Sequence, residues 1–225
     1  MPIPVQSLYL AVSDRIAKDQ AGNFTNDEFN RILAQCQEDA LDYFESLDGS
    51  SQFVQNALTP FLKRYEIAIS STVAYPTDYR SKRNARVRLS FMDGDTPDFR
   101  WFPMNMLETD EDFDALYSPI RKPKVSTEVY SYSMDSIGIR IYPEGITGLF
   151  QMSYIKQPAA AVRGVTVDLV NEVEVYNPGT TTDLEWEITQ FNLFHDLICF
   201  YMGIDIRESE INAWLSNRKL KKEPQ

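Results

Sequence analysis

Residues 134–156 read MDSIGIRIYPEGITGLFQMSYIK, and their period decides the fold. Ile137, Ile139 and Ile141 alternate with Gly138, Arg140 and Tyr142, and Phe150, Met152 and Tyr154 mark a second alternating run up to Lys156. A period of two puts every second side chain on one face of a strand. Met134-Asp135-Ser136 and Pro143-Glu144-Gly145 supply turn residues before and between these runs. With a further strand over Thr127–Ser133, the stretch predicts an antiparallel meander with one buried face.

Working outward, the β pattern extends in both directions. Ile67, Ile69, Val73 and Tyr75 alternate with smaller or polar residues, as do Val87, Leu89 and Phe91 with Arg86, Arg88 and Ser90. These predict two strands joined by the polar, basic stretch Pro76–Asn84. Asp93-Gly94-Asp95 is a turn signal, and Phe99–Phe102 a short aromatic strand. Thr109 caps a short helix through Tyr117. Val173–Tyr176 is one more candidate strand.

The two ends of the chain have helical periodicity. Val5, Leu8, Tyr9, Val12 and Ile16 predict a helix over 5–18. Thr25 with Glu28 is a capping box, and Phe24 and Phe29 stand at the hydrophobic-staple positions around it. Phe29, Ile32, Leu33, Cys36, Ala40, Leu41 and Phe44 follow as one stripe. A third helix is predicted over Gln52–Tyr65, kinked or delayed by Pro60. Near the C-terminus, Thr182 with Glu185 makes a second capping box ahead of an apolar stripe from Ile188 to Tyr201, stopped by Gly203. Asp205 with Glu208 caps a last helix carrying Ile211, Trp214 and Leu215. Helices, then strands, then helices define an α+β fold. We read residues 1–225 as a single domain, with helical parts 5–65 and 183–222 and a β-rich part 66–177 that holds a short helix near 109–117.

Composition narrows the function classes. The chain has 225 residues, 43% of them hydrophobic, and a formal net charge of −11. An acidic chain repels phosphate backbones, which argues against sequence-independent DNA gripping by the whole molecule. The charge is uneven. Asp93–Asp114 holds eight acids against Arg100, whereas bases collect at Arg80–Arg88, at Arg121–Lys124 and in the C-terminal tail. Such patterning suits contact with other protein surfaces, including copies of the same chain, and equally an ordinary solvated surface. Cys36 and Cys199 each sit in an apolar helical pattern, as free thiols in a reducing compartment do. The N-terminus shows no signal-peptide pattern, and no apolar run reaches the length of a membrane span.

Catalytic signals are sparse. His195 is the only histidine and lies mid-helix, so no multi-histidine metal site can form. Asp93-Gly94-Asp95 is too short for an EF-hand loop. The Glu108–Asp114 acids could chelate calcium, but they also suit a helix N-terminus. No Gly-rich phosphate loop, nucleophile elbow or zinc-helix motif is present. We therefore expect no enzyme activity, cofactor, metal or catalytic residue. Charge placement is the more unusual feature. Arg80, Lys82, Arg83, Arg86 and Arg88 stand between two predicted strands, and they read as a docking loop for an acidic patch, a phosphate contact or an exposed hairpin tip. The acidic counterparts are Glu108, Asp110, Glu111 and Asp112, and these nine residues are the candidate subunit-interface set.

Two motifs carry a resemblance. Ile137-Gly-Ile-Arg-Ile-Tyr-Pro-Glu-Gly-Ile-Thr147 runs on to Met152-Ser-Tyr-Ile-Lys-Gln-Pro158, and Asp183-Leu-Glu-Trp-Glu187 opens an apolar helix followed by Gly203-Ile-Asp-Ile-Arg207. With the N-terminal helices, this order of elements resembles the head-to-tail connector proteins of tailed phages, most of all the ring proteins of crAss-like phages. The resemblance implies a virion subunit made in the host cytoplasm and assembled into a ring, often of twelve copies. Its partners would be further copies, the portal, neighbouring neck and tail proteins, and genome DNA passing through the lumen without sequence-specific binding. An acidic face there would let DNA slide, and bipolar charge would suit head-to-tail contacts between subunits. No catalytic residue transfers. The alternatives are a non-virion assembly adaptor or chaperone that binds one partner protein, and a carboxylate-based glycan hydrolase.

Overall fold

The computed structural model describes residues 1–19, 23–47, 51–70, 72–93, 96–108, 130–168 and 173–203. The fold is α+β, with helices towards both ends of the chain and a mixed, curled sheet between them. Contacts divide the chain into a unit of residues 1–60 with 158–225 and a unit of residues 61–157. The predicted helices near 109–117 and after Asp205, and the acids Asp110, Glu111 and Asp112, lie outside the described residues.

The first unit holds strand β1 (Pro2–Ile3) and helices α1 (Val5–Asp19), α2 (Asn26–Ser46), α3 (Gln52–Leu58) and α4 (Phe191–Tyr201). It also holds strands β8 (Val165–Asp168), β9 (Val173–Tyr176) and β10 (Leu184–Glu187). The start of α2 is as its sequence predicts. The Glu28 amide donates to Thr25 Oγ1 at 3.2 Å, and the Thr25 amide donates to Glu28 Oε2 at 2.9 Å. Phe24 and Phe29 both pack on Tyr9, each ring centroid 5.1 Å from that of Tyr9. The staple thus also joins α2 to α1. Leu8, Val12, Leu33, Leu41 and Phe44 are buried with Trp186, Phe194 and Leu197.

Two helix boundaries differ from the sequence reading. The third helix stops at Leu58, passes through a 3-10 turn at Thr59–Phe61 and becomes strand β2 (Leu62–Ala68). Pro60 cannot donate to continue the helix, and residues 62–68 find a full strand partner instead. At the other end no helix begins at Asp183. Residues 184–187 are β10, antiparallel to β1, with Leu184 and Trp186 buried, and α4 starts only at Phe191. Glu185, expected in a local capping box, serves a distant donor, and so does Asp183. Asp183 Oδ1 accepts from the Val5 amide at 2.9 Å, capping α1, and Glu185 Oε2 accepts from the Ala159 amide at 2.9 Å. Gly203 ends α4 as predicted, at φ +78°.

The second unit is a sheet in the order β2-β7-β3-β4-β5-β6. Its further strands are β3 (Tyr79–Asp93), β4 (Thr96–Leu107), β5 (Tyr130–Met134), β6 (Ile139–Tyr142) and β7 (Gly148–Lys156). The predicted meander is replaced by a mixed arrangement. β5 and β6 form an antiparallel pair, but β7 crosses away to lie between β2 and β3, and β4 runs parallel to β5. Beyond β6, Ile139 exchanges backbone hydrogen bonds with Val73. Val73 follows closely on β2, the strand at the opposite edge, so the sheet curls towards closure around its own core. That core includes Val87, Tyr130, Tyr132, Ile139, Phe150 and Met152. Asp135 forms the expected turn, its Oδ1 accepting from the amides of Ile137 and Gly138 at 2.8 and 3.1 Å. Ile137 belongs to that turn and is 70% exposed, so it is not the buried strand residue its alternation predicts.

The basic stretch is the largest correction. Arg80–Asn84 is not a connection or hairpin tip: it lies inside β3, paired with β7. Register shifts between Tyr79 and Ser81 and between Lys82 and Asn84 interrupt the pairing. Bulges of this kind break the period of two by which a strand is recognised in sequence.

Candidate functional site

The register of four strands sets out one solvent-facing surface of the sheet. Arg64 on β2 lies opposite Ser153 on β7, which lies opposite Asn84 on β3. In the next row Glu66, Gln151, Arg86 and Pro103 stand in line, and beyond it Leu149, Arg88 and Trp101. Arg64, Asn84, Arg86, Trp101, Pro103 and Gln151 contribute to the lining of a groove of about 380 Å³.

Side-chain contacts give this surface its character. The Arg86 guanidinium lies 4.4 Å from the Trp101 ring centroid. The Arg88 guanidinium lies 5.3 Å from that of Phe99 and 5.6 Å from that of Trp101. Arg86 Nε donates to Gln151 Oε1 at 2.5 Å, and Gln151 Nε2 donates to Glu66 Oε2 at 2.7 Å. The rings hold two guanidinium planes in place, each such contact contributing about 0.5–1 kcal/mol at an exposed site. A held guanidinium presents N–H groups in a fixed fork that matches carboxylate or phosphate oxygens. The arrangement can bind an anion.

The remaining predicted residues are distributed differently. Arg80 Nη1 donates to Gln157 Oε1 at 3.0 Å. Lys82 Nζ pairs with Glu108 Oε1 at 3.0 Å, so one expected basic–acidic match is made within the chain. Arg83 lies partly buried in β3. Trp101, Phe99, Arg64 and Gln151 were not legible as members of the site. The alternation of Phe99–Phe102 marks a strand, but only the pairing of Arg88 with Trp101 reveals what it faces.

A second polar cluster lies on α4. His195 Nδ1 is 2.7 Å from Asp196 Oδ1, and its Nε2 is 3.8 Å from Cys199 Sγ. The hydrogen bond to Asp196, followed by that to Cys199, pushes the imidazole up to about 10. Cys199 is 2% exposed, which leaves its sulfur no approach for a substrate. Tyr201 on the same helix donates to Asp39 of α2, whose Oδ1 accepts from Gln35 at 2.7 Å. These contacts join helices within the first unit. Among the described residues, no group of three or more His, Cys, Asp or Glu side chains is placed to hold a metal ion.

No protein-family model matches the chain, and no curated protein matches it. Among the described residues, no helix is long and apolar enough to cross a membrane.

Proposed function

We propose that this chain is a virion structural protein, a subunit of an oligomeric ring in the phage neck or tail. In this reading it joins portal to tail, lines part of the DNA channel and is made in the host cytoplasm. The observation that carries the reading is the β8–β9 hairpin. Val173 and Val175 share one of its faces at 55% and 49% exposure, and Val167 on the other face is 57% exposed. A two-stranded hairpin is marginally stable by itself in water, and valines bared on both faces add to that deficit. An arm of this kind suits insertion against a neighbouring subunit. Its root is firmly built. The Gly164 amide donates to Thr181 Oγ1 at 3.0 Å, and the Asn177 amide donates to the Gly164 carbonyl at 2.9 Å. A Cβ on Gly164 would stand 2.1 Å from Thr180 Oγ1, so the close approach requires glycine.

The test is the composition and image of purified particles. Detection of the chain by mass spectrometry, with ring-shaped density in the neck or tail that fits its two units, supports the reading. Complete absence of the chain from particles whose assembly needs it favours the alternative, an assembly adaptor or chaperone, for which the same arm would serve.

A further inference from the structure

The arginine-bearing face of the sheet carries an inference about what it docks. Arg86 and Arg88 occupy alternate positions of β3, so they share one face with backbones about 7 Å apart. Each guanidinium lies over an aromatic ring, Arg86 on Trp101 and Arg88 on Phe99 and Trp101. A ring covered in this way is poorly available to a stacking nucleobase, which is the usual sequence-tolerant grip on single-stranded nucleic acid. The guanidinium edges keep their donors. Arg86 spends Nε on Gln151 and is otherwise exposed, so its Nη groups can pair an incoming oxygen. Arg64 continues the positive strip across the groove, and Glu66, engaged by Gln151, is the carboxylate in these rows.

The geometry points to a docking site for the acidic segment Glu108–Asp114 of a second copy of this chain. Charge complementarity selects the occupant. Asp110, Glu111, Asp112 and Asp114 place four carboxylates in five residues, with Phe113 among them, next to Glu108, which Lys82 of its own chain holds. Two other acid-dense stretches are engaged: in Glu38–Glu45, on α2, Asp39 is buried against Tyr201, and in Asp183–Glu187 the first two acids accept from the amides of Val5 and Ala159. A short acidic segment needs only the local arginines, because charges further apart than about 10 Å are largely screened. Basic face on one copy and acidic segment on the next make a head-to-tail contact, the kind that closes a ring. The identity of the neighbour rests on the ring reading proposed above; the carboxylate specificity of the face does not.

A synthetic peptide of residues 106–116 is titrated against the full chain, with tryptophan fluorescence and calorimetry as readouts. A single-stranded oligothymidine is run alongside it. Arg86→Glu with Arg88→Glu is expected to weaken peptide binding by at least about ten-fold, the loss of one or two charge-assisted contacts. Arg86→Gln with Arg88→Gln is the milder variant, used if the reversal disturbs folding by circular dichroism. A peptide carrying Lys in place of Asp110, Asp112 and Asp114 is expected to prefer the charge-reversed chain. Absent peptide binding, equal binding to wild type and both variants, or stronger binding of the oligonucleotide overturns the inference. Peptide binding by a chain absent from particles retains the face and removes the ring reading. Rings that form unchanged with either variant retain the ring reading and remove the face.

Discussion

The guanidinium of Arg163 lies 3.7 Å from the centroid of the Tyr9 ring, and it is buried there with no carboxylate contact among the described residues. Its Nε donates to Gln6 Oε1 and its Nη1 to Asn26 Oδ1, each at 2.8 Å. Its carbonyl accepts from Asn26 and Asn30, both at 3.1 Å, and its amide donates to Asn30 Oδ1 at 2.8 Å. One residue thus ties the segment leading into β8 to both α1 and α2. Arg163→Ala removes the donors to the buried Asn26 oxygen and the half-buried Gln6 oxygen, an effect of about 1–3 kcal/mol. Urea denaturation at neutral pH is expected to show a loss in that range. A midpoint equal to wild type would mean that the neutral clamp contributes nothing.

Trp186 is the second stability prediction. It is fully buried between Phe44 and Phe194, with ring centroids 5.5 and 5.3 Å away. Trp186→Ala should cost about 3–5 kcal/mol, from lost transfer free energy and the cavity left behind. Trp186→Phe should recover most of it, because an aromatic ring still fills the space. Thermal unfolding of the three proteins orders them wild type, Phe, Ala; an alanine variant as stable as wild type would contradict the packing described.

His195 gives a prediction of pH dependence. It is the only histidine, so one imidazole signal reports it in an NMR titration. Hydrogen bonds to Asp196 and then Cys199 raise it to about 10, against an ordinary value of 6.5. The folded state therefore binds the proton more tightly than the unfolded state. The stability it contributes is complete below about pH 6.5 and is lost as pH rises towards 10. His195→Gln should remove this decline between neutral and alkaline pH. An imidazole that titrates at its ordinary value would rule the coupling out.

The sheet has its own acid and alkaline signatures. Lys63 Nζ donates to Asp78 Oδ2 at 2.5 Å, and Tyr154 Oη donates to Asp78 Oδ1 at 2.8 Å. The Lys63 bond, followed by the Tyr154 bond, holds the Asp78 carboxyl below its ordinary 3.8. Its contribution is present above that value and is lost as pH falls further. Burial, then the bond to Asp78, pushes Tyr154 up to about 12, so its contribution is present below pH 10 and is lost on rising through 12. Asp78→Asn should flatten the acid limb of unfolding, and Tyr154→Phe the alkaline limb above pH 10. Limbs unchanged in both variants would show that the triad does not titrate with folding.

Legibility from sequence followed the range of the interactions. The capping box at Thr25 and Glu28, the Asp135 turn and the alternation in β6 and β7 are set within a few residues, and all were readable. The Thr182–Glu185 pattern looked equally local and misled, because Glu185 serves the amide of Ala159, 26 residues away, and Thr182 exchanges backbone hydrogen bonds with Val162. β8 was missed, since four residues carry little periodic signal. At the candidate face, Arg86 and Arg88 were legible as polar positions of a strand, but the bases from Arg80 to Arg83 were assigned to a connection, because two bulges hide the part of β3 that carries them.

Sequence by itself therefore determined the α+β class, the sites of the first helices and the faces of the later strands, all through caps, turns and periodicity. Tertiary structure alone decided that β7 lies between β2 and β3, that β4 meets β5 in parallel, and that Arg86 and Arg88 stack on the aromatic rings of β4. The physical reason is that a strand's backbone donors and acceptors specify pairing but no partner. The partner is selected by which faces bury together, and that choice depends on residues far apart in the chain.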